Sequence, residues 1–173
     1  MHIRPADASD YAAIDALLEQ AFESKLEGAI TRALRDADAD TLELVAEKHD
    51  RIIGQIMFSP AHGERDGEAE SYGLALGPLA VAPAEQGQGV GSALADAGLD
   101  FIATLGVPWC ILLGEPDYYQ RFGFELASHH GLSWDKDKSG ELAAYFQIKQ
   151  TSDKPLPGAG MRLHYHPAFD LAD

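Results

Sequence analysis

A glycine-rich turn is the part of this sequence whose residue types are best suited to binding a charged ligand. Gly87, Gly89 and Gly91 alternate along it, and the apolar segment 79–81 precedes it. Glycine lets a backbone approach a ligand closely, and the residues from Val90 onward have the pattern of a helix start. Backbone N–H groups at a helix start bind phosphate, because the helix dipole is positive there. The turn therefore predicts a site for a phosphate or pyrophosphate group.

Two familiar phosphate-binding motifs fit this turn poorly. A Walker A loop needs a lysine directly after its last glycine, and the sequence has no lysine between Lys48 and Lys136. A dinucleotide fingerprint needs G-x-G-x-x-G, but Ser92 stands at the third glycine position. The predicted unit also lies in the middle of the chain, after hairpin strands. A dinucleotide-binding protein is kept only as a third alternative.

Two segments together match a different pair of motifs. Residues 86–91 read Gln-Gly-Gln-Gly-Val-Gly, and residues 118–124 read Tyr-Tyr-Gln-Arg-Phe-Gly-Phe. They resemble the Q/R-x-x-G-x-G/A signature of the GNAT N-acetyltransferase superfamily and the Y-x-x-x-G-F segment that follows the next strand in that family. Order, spacing and the hairpin-first arrangement agree over most of the chain. The detailed forms are similar to a bacterial subfamily of small GNAT proteins, often of unassigned substrate.

The resemblance implies that acetyl-CoA, or another acyl-CoA, is the acyl donor. Its pyrophosphate would lie on the N–H groups of the glycine turn, and its pantetheine arm would pair with the preceding strand. Gln86 stands where many relatives carry arginine, which leaves one positive charge fewer near the phosphates. The implied cofactor-binding residues are Leu79, Ala80, Val81, Gln86, Gly87, Gln88, Gly89, Val90, Gly91 and Ser92.

Direct acyl transfer requires a neutral amine, a polarised thioester and a proton for the departing thiolate. The resemblance implies that Tyr119 is the catalytic general acid, and a phenol with a pKa of about 10 is protonated at neutral pH. The alternative is that Tyr119 packs in the core and its hydroxyl only binds the cofactor sulfur. No general base is identified: Glu115 and Asp117 are interpreted as helix-start residues and His62 as a solvated loop residue. Deprotonation through water stays open.

The order of predicted elements indicates an α+β fold. Hairpin strands come first, and His62–Glu70 is expected to be a mobile loop. The strand ending at Leu79–Val81, a helix to about Leu105 and the apolar strand Trp109–Leu113 then form a right-handed βαβ unit. We expect a GNAT-like, mostly antiparallel sheet of six to seven strands with helices on both faces. Residues 1–173 are expected to form a single acyltransferase domain.

Composition restricts the classes of partner and compartment. A formal net charge of -15 argues against nucleic-acid binding, which needs basic patches, and no apolar run is long enough to span a bilayer. The single cysteine, Cys110, lies in an apolar run and is expected to be a buried, reduced thiol. His164 and His166 share a strand face but lack a third ligand, so no metal is expected. A cytoplasmic location follows as an expectation.

These observations favour an acyltransferase of the N-acetyltransferase type. It would move an acetyl group from acetyl-CoA to a primary amine of a small molecule or peptide, by direct attack in a ternary complex. The acceptor pocket is expected among residues 22–35 and 132–146, and a homodimer through the C-terminal strands is left open. Because no base is identified and Gln86 replaces a positive charge, the alternative is a non-catalytic acyl-CoA-binding or regulatory module on the same fold.

Overall fold

The computed structural model describes residues 1–172. In chain order, the strands and α-helices of these residues are β1 His2–Pro5, α1 Tyr11–Phe22, α2 Leu26–Asp36, β2 Leu42–Lys48, β3 Arg51–Arg65, β4 Glu68–Val81, α3 Val90–Thr104, β5 Trp109–Leu113, α4 Pro116–Tyr119, β6 Glu125–Leu126, β7 Ser133–Trp134, β8 Phe146–Gln150 and β9 Arg162–Tyr165. Short 3-10 turns connect several of them. No helix in this range is both long and apolar enough to cross a membrane.

The described chain divides into two compact units. Unit 1 comprises residues 1–59, 76–100 and 167–172, and unit 2 comprises residues 60–75 and 101–166. Strands β3 and β4 and helix α3 each contribute residues to both units. Neither unit is therefore a continuous stretch of sequence.

Unit 1 contains β1, β2 and the parts of β3 and β4 that lie beside them in that order. The β1–β2 and β2–β3 pairs are antiparallel, with Ile3 opposite Ala46 and Leu44 opposite Ile56. Helix α1 follows a capping box in which the Asp7 carboxylate accepts the Ser9 N–H and the Asp10 carboxylate accepts the Asp7 N–H. The apolar side of α1 packs on this part of the sheet, through a cluster made of Ile14, Leu17, Leu18, Val45 and Ala80.

Unit 2 is built around β5, whose first four residues are buried. Strand β4 pairs with it in parallel, with Leu74 opposite Cys110, and β8 pairs with its other edge antiparallel. Strand β6 extends β8, while β9 pairs with β3 and β7 with β9. The Trp109 ring lies so close to Gly73 that a Cβ there would be 2.4 Å from Trp109 Cδ2. Glycine is needed at position 73 because the indole occupies the space of a side chain.

The α+β architecture, the mostly antiparallel sheet and the parallel strand pair that flanks α3 are confirmed. The parallel register joins Leu74 and Ala75 to β5, earlier in β4 than the expected Leu79–Val81 segment. The described residues form nine strands rather than six or seven, because β6 and β7 are two-residue strands that a sequence pattern does not reveal.

The expectation of a mobile loop over His62–Glu70 is wrong. Strand β3 continues to Arg65 and β4 begins at Glu68, so that only Asp66 and Gly67 form the turn. Their φ values are +53° and +82°, the left-handed conformation that Asp-Gly hairpin turns adopt. The polar composition of this segment reflects a hairpin with exposed side chains and not an irregular loop.

Candidate functional site

The glycine turn has the backbone conformation that its sequence predicts. Gly87 and Gly89 have φ values of +77° and +85°, a region in which side chains are disfavoured. A Cβ built on either residue would meet no other atom within 4 Å, and both residues are exposed. Glycine is therefore required by the backbone conformation, and the space beside the turn is open to an incoming group.

Helix α3 begins directly after this turn. The Ala93 N–H donates to the Gly89 carbonyl at 3.0 Å, while the N–H groups of the first turn of any α-helix lack intrahelical acceptors. Val90 is buried, and a Cβ at Gly54 on β3 would lie 2.9 Å from Val90 Cγ1 and 2.8 Å from Leu94 Cδ1. This close packing holds the helix start against β3, so the orientation of the first N–H groups is determined by the core of unit 1.

The two glutamines of the turn bond to its own backbone. Gln86 Nε2 donates to the Val81 carbonyl at 3.1 Å, and Gln88 Nε2 approaches the Ala84 carbonyl at 3.5 Å. Beside them, Lys48 Nζ pairs with Glu85 Oε2 at 3.2 Å. The glutamines therefore brace the turn, and the neighbouring lysine charge is compensated by a carboxylate. The groups of the turn that can bind an anion are therefore its backbone N–H groups.

The segment before the turn is held on two sides. Ala80 is 2% exposed and packs in the α1 cluster, whereas Leu79 and Val81 are half-buried. Directly after the segment, the Ala82 N–H donates to the Ile53 carbonyl at 2.8 Å. This end of β4 is thus a strand, as predicted.

Tyr119 lies at the end of α4, the short helix in unit 2 that starts at Pro116. Its ring lies against Gly114, where a Cβ would be 2.5 Å from Tyr119 Cε2. The edges of Tyr118 and Phe124 contact the same ring, with centroids 4.9 and 6.0 Å away. Tyr119 is half-buried, so packing determines where its hydroxyl points.

The Tyr119 phenol is a protonated donor with an uncommitted hydroxyl. Burial raises its pKa to about 12, and Tyr118 and Cys110 contribute in the same direction. No residue between 1 and 172 forms a hydrogen bond with this hydroxyl. The group is therefore available to donate a hydrogen bond to a bound molecule over the whole neutral pH range.

Tyr165 on β9 is a second phenol in unit 2. The sequence analysis did not select it as a candidate functional residue. Burial raises its pKa, and Cys110 and Tyr119 add to the shift, so these three groups are neighbours. Its ring also contacts Trp134, at 5.9 Å between centroids. A single tyrosine within a strand belongs to no recognisable sequence motif. The position of Tyr165 in unit 2 depends on how β9 pairs in the sheet. Cys110 itself is fully buried, as expected.

The three candidate bases have different positions. Glu115 and Asp117 are exposed, and the Glu115 carbonyl accepts the N–H groups of Tyr118 and Tyr119 at 3.1 Å each, which agrees with a helix-start role. His62 does not lie in a solvated loop: it is a half-buried residue of β3. Burial, followed by the proximity of His164, lowers its pKa. His62 is therefore a neutral imidazole at physiological pH.

His62 belongs to a cluster that the sequence analysis missed. Its ring stacks on that of His164 with centroids 4.7 Å apart and an interplanar angle of 1°. His164 Nε2 lies 3.1 Å from Glu64 Oε2, and His164 Nδ1 lies 3.5 Å from Asp135 Oδ2. The expectation that His164 has no further ligand-type residues near it is wrong, because β3 and β9 are paired.

Of the two expected acceptor segments, residues 22–35 contribute to a pocket and residues 132–146 contribute to the core. Within unit 1, helices α1 and α2 and the turn between them form an open pocket of about 290 Å³ lined by Asp15, Glu19, Ser24, Lys25, Gly28 and Arg32. Asp15 and Arg32 pair across it at 2.9 Å. In unit 2, Phe146 is a core residue on which Trp134 stacks, while Tyr145 is exposed. Of the three aromatic residues Trp134, Tyr145 and Phe146, Tyr145 is the exposed one.

Comparison with known proteins identifies the family. A profile described as "Acetyltransferase (GNAT) domain" matches residues 2–127. The uncharacterized N-acetyltransferase YhbS of Escherichia coli (strain K12) is 36% identical over 98% of this chain and 99% of its own length.

Two solved structures extend this similarity to the fold. The crystal structure of E. coli YhbS in complex with CoA superposes with a TM-score of 0.83 at 34% identity, covering 98% of this chain and 91% of the other. A GNAT family acetyltransferase from Brucella melitensis in complex with acetyl-CoA gives 0.77 at 36% identity, covering 98% and 97%. The chain belongs to the GNAT family of N-acetyltransferases and is an acyltransferase.

Proposed function

We propose that this enzyme transfers the acetyl group of acetyl-CoA to a primary amine of a small molecule or peptide. The observation that carries the donor assignment is the open glycine turn, in which Gly87 and Gly89 are left-handed and nothing occupies the space beside them. The CoA and acetyl-CoA bound to the two relatives described above support the same donor here.

The proposed donor site uses backbone groups for nearly all of its polar contacts. The N–H groups of the turn from Gly87 to Ser92 hold the pyrophosphate, which suits a helix start. The backbone of Leu79, Ala80 and Val81 pairs with the pantetheine amides as an added strand does. A backbone N–H of that strand polarises the thioester carbonyl. The side chains of Gln86 and Gln88 contribute by bracing the turn.

The proposed chemistry is a direct attack within a ternary complex. The amine nitrogen forms a bond to the thioester carbon, the C–S bond breaks, and the sulfur leaves with the electron pair. Tyr119 keeps its proton and donates a hydrogen bond to the departing sulfur, the new N-acetylammonium loses its proton to water, and the thiolate then takes a proton from solvent. The uncommitted hydroxyl and raised pKa of Tyr119 support this role. No metal enters these steps.

We further infer that units 1 and 2 act as one catalytic domain, since the family profile matches residues of both. The net charge of -15 favours a cationic acceptor over nucleic acid. The single reduced cysteine supports a cytoplasmic enzyme. A homodimer through β8 and β9 is the arrangement to be tested by light scattering.

The donor site is tested by Gly89→Ala, with Gly67→Ala as its matched control. Gly67 has a φ of +82° and no atom within 4 Å of a built Cβ, so both variants carry the same backbone strain of about 1–2 kcal/mol. Only Gly89→Ala should weaken CoA binding measured by calorimetry, by about 10- to 150-fold, the value of one charge-assisted hydrogen bond. Equal CoA affinities in the two variants would refute the site.

A measurement of turnover distinguishes an enzyme from the alternative, a non-catalytic acyl-CoA-binding module. Thiol release from acetyl-CoA is measured with a panel of primary amines under conditions in which CoA binding has been established. Release with at least one amine supports the enzyme. Tight binding of acetyl-CoA without release on any amine, including polyamines and peptide amino termini, would favour the module.

A further inference from the structure

The cluster of His62, Glu64 and His164 is distinct from the residues assigned to acyl transfer. His62 and His164 are directly opposite each other in the antiparallel β3–β9 pair. Glu64 follows His62 by two residues, so its side chain lies on the same face of the strand. The sheet itself therefore holds two imidazoles and a carboxylate on one surface of unit 2.

The three side chains can converge on one ion. One ligand-type atom of each lies within 4.8 Å of the others, and all three residues are half-buried. Within residues 1–172, Glu64 forms no ion pair with a lysine or arginine, and His164 Nε2 lies 3.1 Å from its Oε2. Arg162 stands opposite Glu64 in the β3–β9 register, but no ion pair joins these two side chains within the described residues, so the carboxylate beside the two imidazoles can pair with a divalent cation.

Asp135 lies on the opposite side of the His164 ring from Glu64. Its carboxylate lies 3.5 Å from His164 Nδ1, while His164 Nε2 faces Glu64 at 3.1 Å. The Asp135 N–H donates to the Leu163 carbonyl at 3.0 Å, which ties the aspartate to β9. A carboxylate on one ring nitrogen with the other nitrogen directed at the ion is the usual outer arrangement of protein metal sites.

We propose that His62, Glu64 and His164 bind a divalent transition-metal ion, with Asp135 as the positioning residue. Two imidazoles and one carboxylate suit Zn²⁺ or Co²⁺, whereas Ca²⁺ and Mg²⁺ select oxygen ligands. With three protein ligands, one of the four tetrahedral positions remains for a water molecule or another ligand. The ion would connect β3 to β9, and binding would stabilise unit 2. This site replaces the expectation that the chain binds no metal.

The test is a titration of the full, chelator-treated chain with Co²⁺ followed by Zn²⁺. We expect one equivalent of Co²⁺, visible ligand-field absorption typical of tetrahedral coordination, and its loss when Zn²⁺ displaces the cobalt. His62→Gln and Glu64→Gln should each weaken binding at least tenfold, and Asp135→Asn by about 10- to 100-fold. The matched control is His129→Gln, which removes an exposed imidazole outside the cluster and should leave the affinity unchanged.

Three results would overturn the proposal. They are a wild-type protein that takes up no stoichiometric Co²⁺, an octahedral spectrum that the cluster variants leave unaltered, and an affinity that falls as much in His129→Gln as in His62→Gln. If a cluster variant does not fold, the wild-type protein is followed by NMR during addition of Zn²⁺. Perturbed ring resonances of His62 and His164 support the site, and unchanged resonances refute it. None of these readouts depends on acetyl transfer, so they are independent of the proposed function.

Discussion

Removal of the Tyr119 hydroxyl tests the proposed chemistry directly. Tyr119→Phe keeps the ring, and with it the packing against Gly114 and the edge contacts with Tyr118 and Phe124. The hydroxyl makes no hydrogen bond within the described residues, so its removal leaves no protein group unpaired. We therefore expect an unchanged fold and unchanged CoA affinity, with the loss confined to turnover.

The raised pKa determines the size of that loss. Proton transfer from a phenol of pKa about 12 to a thiolate whose conjugate thiol has a pKa of about 8.5 is uphill by about 5 kcal/mol. Tyr119 should thus act by donating a hydrogen bond to the developing thiolate, with the proton arriving later from solvent. A hydrogen bond to a charged group contributes about 1.5–3 kcal/mol. The expected decrease in kcat is about 10- to 150-fold.

The assay is steady-state thiol release with an accepted amine, together with calorimetric CoA binding. Tyr118→Phe is the matched control, because it deletes the same hydroxyl one residue earlier and should retain most of the wild-type kcat. A Tyr119→Phe enzyme with full turnover would remove Tyr119 from the mechanism. A loss greater than about 10⁴-fold would instead indicate complete proton transfer in the transition state and would refute the argument from the pKa.

Two further predictions concern stability. The Arg4 guanidinium lowers the pKa of Asp10 to about 2, so the stability that Asp10 contributes is complete above pH about 4 and is lost as the pH falls through about 2. Asp10→Asn should lower the free energy of unfolding by about 1–2 kcal/mol at pH 7, and urea titrations should show the difference shrinking between pH 4 and 2; a constant difference would contradict this. Gly98→Ala should destabilise by about 1–3 kcal/mol despite the better helix propensity of alanine, because its Cβ would lie 2.4 Å from Phe58 Cε2. Thermal unfolding measures it, and Phe58→Leu in the same chain should recover part of the loss.

Local patterns in the sequence predicted the contiguous elements of the candidate site. The strand at 79–81, the glycine turn and α3 follow one another, and each leaves its own signature in composition and spacing. The same holds for α4, where Pro116 begins the helix and Gly123 ends the following turn with a φ of +91°. These features depend on the backbone preferences of neighbouring residues and on little else.

Features that depend on strand pairing were not predicted. The polar composition around His62 predicts a loop, whereas the Asp66-Gly67 dipeptide in the same segment is a hairpin signal that favours two longer strands. The contact of His62 with His164 requires β9 to pair with β3, and these strands are far apart in the chain. The proximity of Tyr165 to Tyr119 has the same origin. Pairing register is decided by the global packing of the sheet, which no short window of sequence contains.

Unit 1 completes its core with a segment from the far end of the described chain. The turn Pro167–Ala172 places Ala168 in a cluster with Ile30, Leu34 and Met57, with Phe169 packed against it. On the ribosome, helix α2 therefore emerges long before the residues that cover it. The part of its apolar surface that Ala168 and Phe169 cover stays exposed, or is shielded by a chaperone, until that segment has left the ribosome. Vectorial synthesis thus makes α2, one of the first helices to appear, among the last to be fully buried.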